Sequence, residues 1–385
     1  MKIERYHWRH YFGGLAFLFF IFQVLTGVFL TLFYHPHLHE AYASIQGLYR
    51  EFPFGAWIRD AHRWFAFFIF AAIVIHIVRS LLRREFVNYE RRTIWLTGTL
   101  LLLPILALLV TGLILPWEWK GYWLMEMVPN YLGSIPLVGP PMKAFMIEFF
   151  TMSRNLIAHV VILPVIALIL IDFHVFAKLR RRSGGIPRYL LKHALLIVPF
   201  FVAVGLLALY IPMPSEDPEI IPMPLEGTDI PAPEWFYLIL LRPFMHFKGQ
   251  MAPFLGIYLP FALFLAVMAL PYFFKGREKS RERHEADGEP VFRESGHFLG
   301  ITRMNGLMKK MVSFLIVFLT AGGLFGLLFL GAHESPTLGC NSCHNVYLGQ
   351  RMGVPPEAFK NRNIVPLLDD SQWMVEHWFY PQVTW

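Results

Sequence analysis

Four histidines recur in pairs along two apolar stretches. His62 and His76 stand fourteen residues apart in "RDAHRWFAFFIFAAIVIHIVR", and His159 and His174 fifteen apart in "TMSRNLIAHVVILPVIALILIDFH". On a helix rising 1.5 Å per residue, either spacing separates the two rings by ~21–22 Å. At 100° per residue the second ring lies ~40° or ~60° round from the first, so each helix offers two imidazoles on one broad face. A third pattern stands near the C-terminus. There "LGCNSCHNVYLG" holds the only two cysteines, Cys340 and Cys343, with His344 directly after them.

If both histidine-bearing stretches descend from the same side of a membrane, with one run returning between them, His62 and His159 share an outer level and His76 and His174 an inner one. Two levels with two facing imidazoles each suit two stacked bis-histidine b-type haems. Iron held in this way has no open position and carries electrons rather than binding oxygen. A lone membrane histidine is often only a helix–helix hydrogen-bond partner. Four at matched depth need a stronger reason, because ionisable groups inside a bilayer are costly. Glycines share the period: Gly13 and Gly27 are fourteen residues apart, as are Gly98 and Gly112. Small-residue helix packing explains such glycines in isolation, but the matched period points to backbone approaching a flat macrocycle closely.

Cys-x-x-Cys-His is the attachment pattern of a c-type haem, with two thioethers to the ring and His344 as one axial ligand. Zinc would need more soft ligands than this tail offers, and a redox dithiol has no use for the adjacent histidine. The second axial ligand is open among Met352, Met374, His377 and His333.

These groups need elements to hold them. Of 385 residues 56% are hydrophobic and 16% charged, against about a quarter charged in a soluble domain. Seven runs, near 11–34, 61–82, 93–115, 156–177, 189–211, 253–274 and 311–330, are long enough to cross a bilayer, which takes roughly 20 helical residues. The expected fold is all-α: a polytopic membrane protein with seven transmembrane helices, four of them a haem-binding bundle and three more following. The expected domains are 1–185 for the four-helix di-haem part, 186–331 for the three-helix part and 332–385 for a short extracytoplasmic haem c tail. Residues 129–150 carry prolines and glycines and read as short surface helices rather than an eighth span.

The net charge of +7 is a topology signal rather than a nucleic-acid footprint. Counting helix ends with their loops, one side holds 23 Lys and Arg and the other 10, with Arg63 left inside a helix. The positive-inside rule puts the N-terminus in the cytoplasm, and seven crossings then bring the Cys-x-x-Cys-His tail out on the far side. No small-residue cleavage site follows the first apolar run, so that run is expected to stay as a helix.

Taken with "LPWEWKGYWLMEMVPNYLGSIPLVGPP" and "PEWF" (Pro233–Phe236), the two histidine stretches resemble the cytochrome b family, the membrane core of quinol–cytochrome c and plastoquinol–plastocyanin oxidoreductases. The resemblance covers roughly residues 5–275. The fifteen-residue histidine step, "GYW" and "IPLVGPP" lean towards the b6 branch, where the protein is split after its fourth helix; here both parts form one chain. That branch also attaches an extra haem through a cysteine at the position where Tyr11 stands here.

The resemblance implies quinol oxidation at an outer site, with Glu234 taking a proton and Pro233, Trp235, Phe236 and Tyr237 around it. Phe236 occupies a place where the family has tyrosine. Helix capping is the other use for such a carboxylate. Arg59 and Arg154, close before the outer histidines, are candidates for haem propionates or for interfacial anchors. Lys178, Arg180 and His193 are candidates for an inner quinone site, or for a solvated basic loop. One electron would cross both b-type haems to quinone inside, against ~2.3 kcal/mol per 100 mV. The other would go to a Rieske-type iron–sulfur partner and leave through the tail haem towards cytochrome c or another acceptor, in a dimeric complex within an energy-transducing membrane. Two other readings remain: a quinone-linked electron conduit of another respiratory oxidoreductase, and a non-enzymatic haem-bearing anchor.

Overall fold

The computed structural model describes residues 11–38, 40–87, 92–133, 135–176, 180, 185–213, 240 and 251–274, with parts of 308–323. Among them, six helices are long and apolar enough to span a membrane. These are α1 (Tyr11–Thr31), α3 (Gly55–Leu82), α4 (Arg92–Ile114), α7 (Met152–Phe176), α8 (Gly185–Tyr210) and α9 (Phe254–Phe273). Three shorter helices complete the order: α2 (Ala41–Glu51), α5 (Trp119–Gly133) and α6 (Gly139–Phe149). Of the seventh expected run, only helical residues within 311–323 are described. The segment expected to form short surface helices is a hairpin of α5 and α6, with α5 starting earlier, at Trp119.

Three spans, α3, α7 and α8, begin a turn or more before their apolar runs. The first turns of α3 carry Arg59 and Asp60, both buried because they pair with each other. At α7 the helix starts at a cap, where Thr151 Oγ1 accepts the Arg154 N–H at 3.1 Å. That bond satisfies one of the otherwise orphaned first-turn donors.

In α7, two turns widen to π-helix, Ala158–Ile162 and Asp172–Phe176. Pro164, which has no N–H to give, follows the first of them, and the Leu163 N–H reaches back to the Ala158 carbonyl. Each such turn takes in an extra residue without the usual rotation. This reconciles the fifteen-residue step of α7 with the fourteen-residue step of α3, since both helices must present two histidines to the same two levels.

The core is a phenylalanine-rich seam between α1 and α3, with Phe19, Phe65 and Phe67 almost wholly buried. The later spans pack on this bundle and are stitched to it by side chains that donate to helix carbonyls. Trp57 Nε1 donates to Gly205 O at 2.9 Å and Trp64 Nε1 to Ile211 O at 3.1 Å, joining α8 to α3. Trp95 Nε1 donates to Val267 O at 2.7 Å, joining α9 to α4. Indole suits this role, because it buries a large apolar body while its one donor finds a partner. Trp95→Phe is expected to lower the stability of the detergent-solubilised protein by about 0.5–1.5 kcal/mol, the net value of one hydrogen bond. Thermal unfolding measures it, and an unchanged midpoint would show that the bond contributes nothing.

Candidate haem sites

The four histidines meet in two pairs. His62 on α3 and His159 on α7 have ring centres 6.4 Å apart, and His76 and His174 on the same two helices 6.2 Å. Two imidazoles bound to one iron from opposite sides, at about 2.0–2.1 Å each and with about 1.1 Å from nitrogen to ring centre, would have centres about 6.2–6.4 Å apart. Both pairs therefore stand at the separation that a shared iron requires.

Iron needs the Nε2 lone pair, so the proton must sit on Nδ1. At three of the four rings the hydrogen-bond network assigns it there. The Thr26 hydroxyl gives its own proton to Phe22 O at 2.8 Å, so at 2.8 Å from His62 Nδ1 it accepts. Thr111 repeats the device, donating to Ala107 O at 2.8 Å and accepting from His159 Nδ1 at 2.9 Å. His174 Nδ1 lies 2.7 Å from the Ile94 carbonyl, which can only accept. Such partners orient a ligating imidazole and fix its tautomer. The sequence reading missed both threonines. The signal for them was the dipeptide Thr-Gly, at Thr26–Gly27 and Thr111–Gly112.

Each of the four periodic glycines faces one histidine. A Cβ on Gly27 would lie 3.1 Å from His62 Cε1 and one on Gly13 3.2 Å from His76 Cε1. The margins on α4 are tighter, at 2.8 Å from Gly112 to His159 and 2.5 Å from Gly98 to His174. The expected close approach of backbone to a macrocycle is thus an approach to a histidine ring. Beside the His62–His159 pair lies a half-open apolar cavity, walled by Phe20, Val24, Ile105 and Leu109 and touching Gln23 and Gly27. Paired imidazoles at iron-sharing distance, fixed tautomers and side-chain-free backbone beside each ring all fit b-type haem.

The other candidates are more scattered. Arg59 is buried and bonded to Glu118, Asp60 and the Met213 carbonyl. Arg154 is exposed, donates to Phe149 O at 3.1 Å and lies over the Phe149 ring. Arg180 pairs through both guanidinium nitrogens with Asp172. His193, on α8, is buried in the notch left by Gly14, with Nδ1 2.8 Å from Tyr189 O. Pro233, Glu234, Trp235, Phe236, Tyr237, Lys178, Cys340, Cys343, His344, Met352 and the alternative ligands His333, Met374 and His377 lie outside the described residues. Buried charged residues that were not singled out from sequence include Asp60, Arg79, three residues after His76, and Glu118.

Outside the spans, burial raises the hydroxyls of Tyr34 and Tyr131 above their ordinary range and pushes Tyr49 up to about 12. Tyr34 stays neutral at any physiological pH and donates to Leu115 O, tying the end of α1 to the end of α4.

Fold and site together describe a multi-pass membrane protein with two pairs of facing histidines between its second and fourth spans. The chain belongs to the cytochrome b/b6 family. The family model "Cytochrome b/b6/petB" matches residues 3–182. Cytochrome b6 of Heliobacterium mobile is 37% identical over 161 residues, covering 40% of this chain and 75% of that protein. Cytochrome b6 of Emiliania huxleyi is 34% identical over 180 residues, covering 46% and 83%. A solved "Hyperthermophilic respiratory Complex III" chain shares the fold at a TM-score of 0.55 and 18% identity, over 86% of this chain and 91% of that one.

Proposed function

We propose that this chain is the membrane cytochrome b subunit of a quinol-oxidising bc-type complex. The observation that carries the reading is the two histidine pairs at iron-sharing distance, one pair about 21 Å along the helices from the other. Haem held by these pairs would supply one-electron transfer with no position open to oxygen.

The chain's own residues divide the remaining work. Thr26, Thr111 and the Ile94 carbonyl hold the Nδ1 protons, leaving Nε2 of His62, His159 and His174 for iron. Glu234 takes a proton from quinol on the outer side, within Pro233, Trp235, Phe236 and Tyr237. Arg59 and Arg154 are the candidates to meet haem propionates. A second quinone site belongs at the inner side, and Arg180 and His193, both near that end, are its candidates. Cys340, Cys343 and His344 would hold a covalent c-type haem, with Met352, Met374, His377 and His333 as candidates for a further ligand. That tail makes the outer electron port, and a Rieske-type subunit and cytochrome c are the partners. The lysine and arginine asymmetry supports a cytoplasmic N-terminus and an extracytoplasmic tail. Residues 186–331 would play the part of the b6 branch's separate fourth subunit, fused here to the di-haem domain 1–185.

The test compares the purified complex with Glu234→Gln, reading b- and c-type haem reduction separately by optical difference spectra. Wild type is expected to reduce both classes with quinol. The variant should slow both about 10²–10⁴-fold, the range for a lost general base. Normal reduction of the c-type haem in the variant would overturn the reading in favour of a quinone-linked conduit.

A further inference from the structure

A buried ion cluster borders the His62–His159 pair. Arg59 stands three residues before His62 and Arg63 one residue after it. Arg59 Nη2 donates to Glu118 Oε1 at 2.9 Å, and its Nη1 donates at 3.0 Å both to Asp60 Oδ1 and to Met213 O. Arg63 Nη1 lies 3.8 Å from the other Glu118 oxygen, and the Tyr49 ring lies 5.8 Å from the Arg59 guanidinium carbon. Arg59, Asp60 and Glu118 are all 3–4% exposed.

Glu118 reaches this cluster by way of a strained turn. Its neighbour Trp117 is buried and adopts φ +53°, a left-handed backbone that bulky side chains avoid. The Trp117 ring stacks on Phe150 at 5.9 Å, and the Trp117 backbone N–H donates to Ile114 O at 3.0 Å. Such strain persists only where the surroundings over-determine it, and it gathers at functional positions.

We propose that Glu118 is a positioning residue for the His62–His159 haem site. It holds Arg59 and Arg63, three residues before and one residue after His62, and so ties the turn after α4 to α3; Arg59 carries the link on to Met213, just past the end of α8. The inference rests on reading the histidine pair as a haem site. Glu118 also sets the charge beside that site. The Arg59 and Arg63 guanidinium groups in a low-dielectric interior favour the reduced centre, and the Glu118 and Asp60 carboxylates offset them. Glu118→Gln should therefore raise the midpoint potential at the His62–His159 level, and Arg63→Gln should lower it. The other level, about 21 Å away along the helices, should stay put in both variants. A merely structural role would not move the two variants in opposite directions.

The measurement is an optical redox titration of the full-length holoprotein, resolving the two b-type centres, for wild type, E118Q, E118D, R63Q and W57F. Trp57→Phe removes a bond between α3 and α8 without altering charge. Opposite shifts for E118Q and R63Q at one centre, near-wild-type behaviour of E118D and no shift for W57F are expected. Equal shifts at both centres, shifts of one sign, or a W57F shift as large as that of E118Q would overturn the proposal. If E118Q fails to retain haem, E118D and R63Q decide it by the same criteria. A wild-type protein without two b-type transitions would sink the haem assignment itself, a separate result.

Discussion

His62→Leu is expected to leave the protein with one b-type haem in place of two. Leucine fills a similar volume and satisfies the apolar wall of the cavity, so α3 should still pack on α1. It has no lone pair for iron, and His159 alone cannot make a site without an open position. His159 would keep its bond to Thr111, which comes from α4 and not from α3. The His76–His174 pair lies about four helical turns away, and His174 draws its fixed tautomer from Ile94 on another helix. Its haem should therefore remain. Pyridine haemochrome stoichiometry against protein measures this directly. Loss of both haems would mean the two levels do not assemble independently, and retention of both would remove His62 from the ligand set.

Gly98→Ala carries the second large effect, and it grades against its three counterparts. The added Cβ would stand 2.5 Å from His174 Cε1, where one atom has to move. The ring cannot turn aside without giving up its bond to Ile94 O at 2.7 Å, and the glycine backbone belongs to the same helix as that carbonyl. Overpacking of this kind costs about 1–3 kcal/mol, which corresponds to roughly a 5–150-fold loss of haem affinity at the His76–His174 level. Gly112→Ala, at 2.8 Å, should weaken the other level somewhat less, and Gly27→Ala and Gly13→Ala, at 3.1 and 3.2 Å, least. Haem retention after dilution in detergent gives the order. Equal behaviour of all four would show that the rings re-seat freely and that the glycines serve only helix packing.

The two facing histidine pairs were legible in the sequence because they obey one-dimensional rules. A helix rises and turns by fixed amounts, so fourteen or fifteen residues carry an imidazole from one level to the next on nearly one face. The same rule singled out Gly13, Gly27, Gly98 and Gly112. Long apolar runs are equally local, and the six described spans lie where the runs predicted them, apart from their first turns. Those first turns show where local reading stops. The start of α3 at Gly55 depends on Arg59 and Asp60 being neutralised inside the protein, and Glu118, which shares in that, lies fifty-nine residues away from Arg59.

Tertiary structure alone decided the rest. Which glycine faces which histidine, and that the approach is to the imidazole, depends on how α1 and α4 flank α3 and α7. That Thr26 and Thr111 accept the Nδ1 protons follows from a packing contact between helices, and no spacing rule announces it. The widened turns of α7 that absorb the fifteenth residue depend on Pro164 and on the neighbours that tolerate the bulge. The Arg59–Glu118–Met213 node joins three distant parts of the chain. Sequence by itself determined which residues can ligate and at what depth, since both are properties of a single helix. Structure decided their orientation, tautomer and charge environment, since each of these is set by an atom on a different helix.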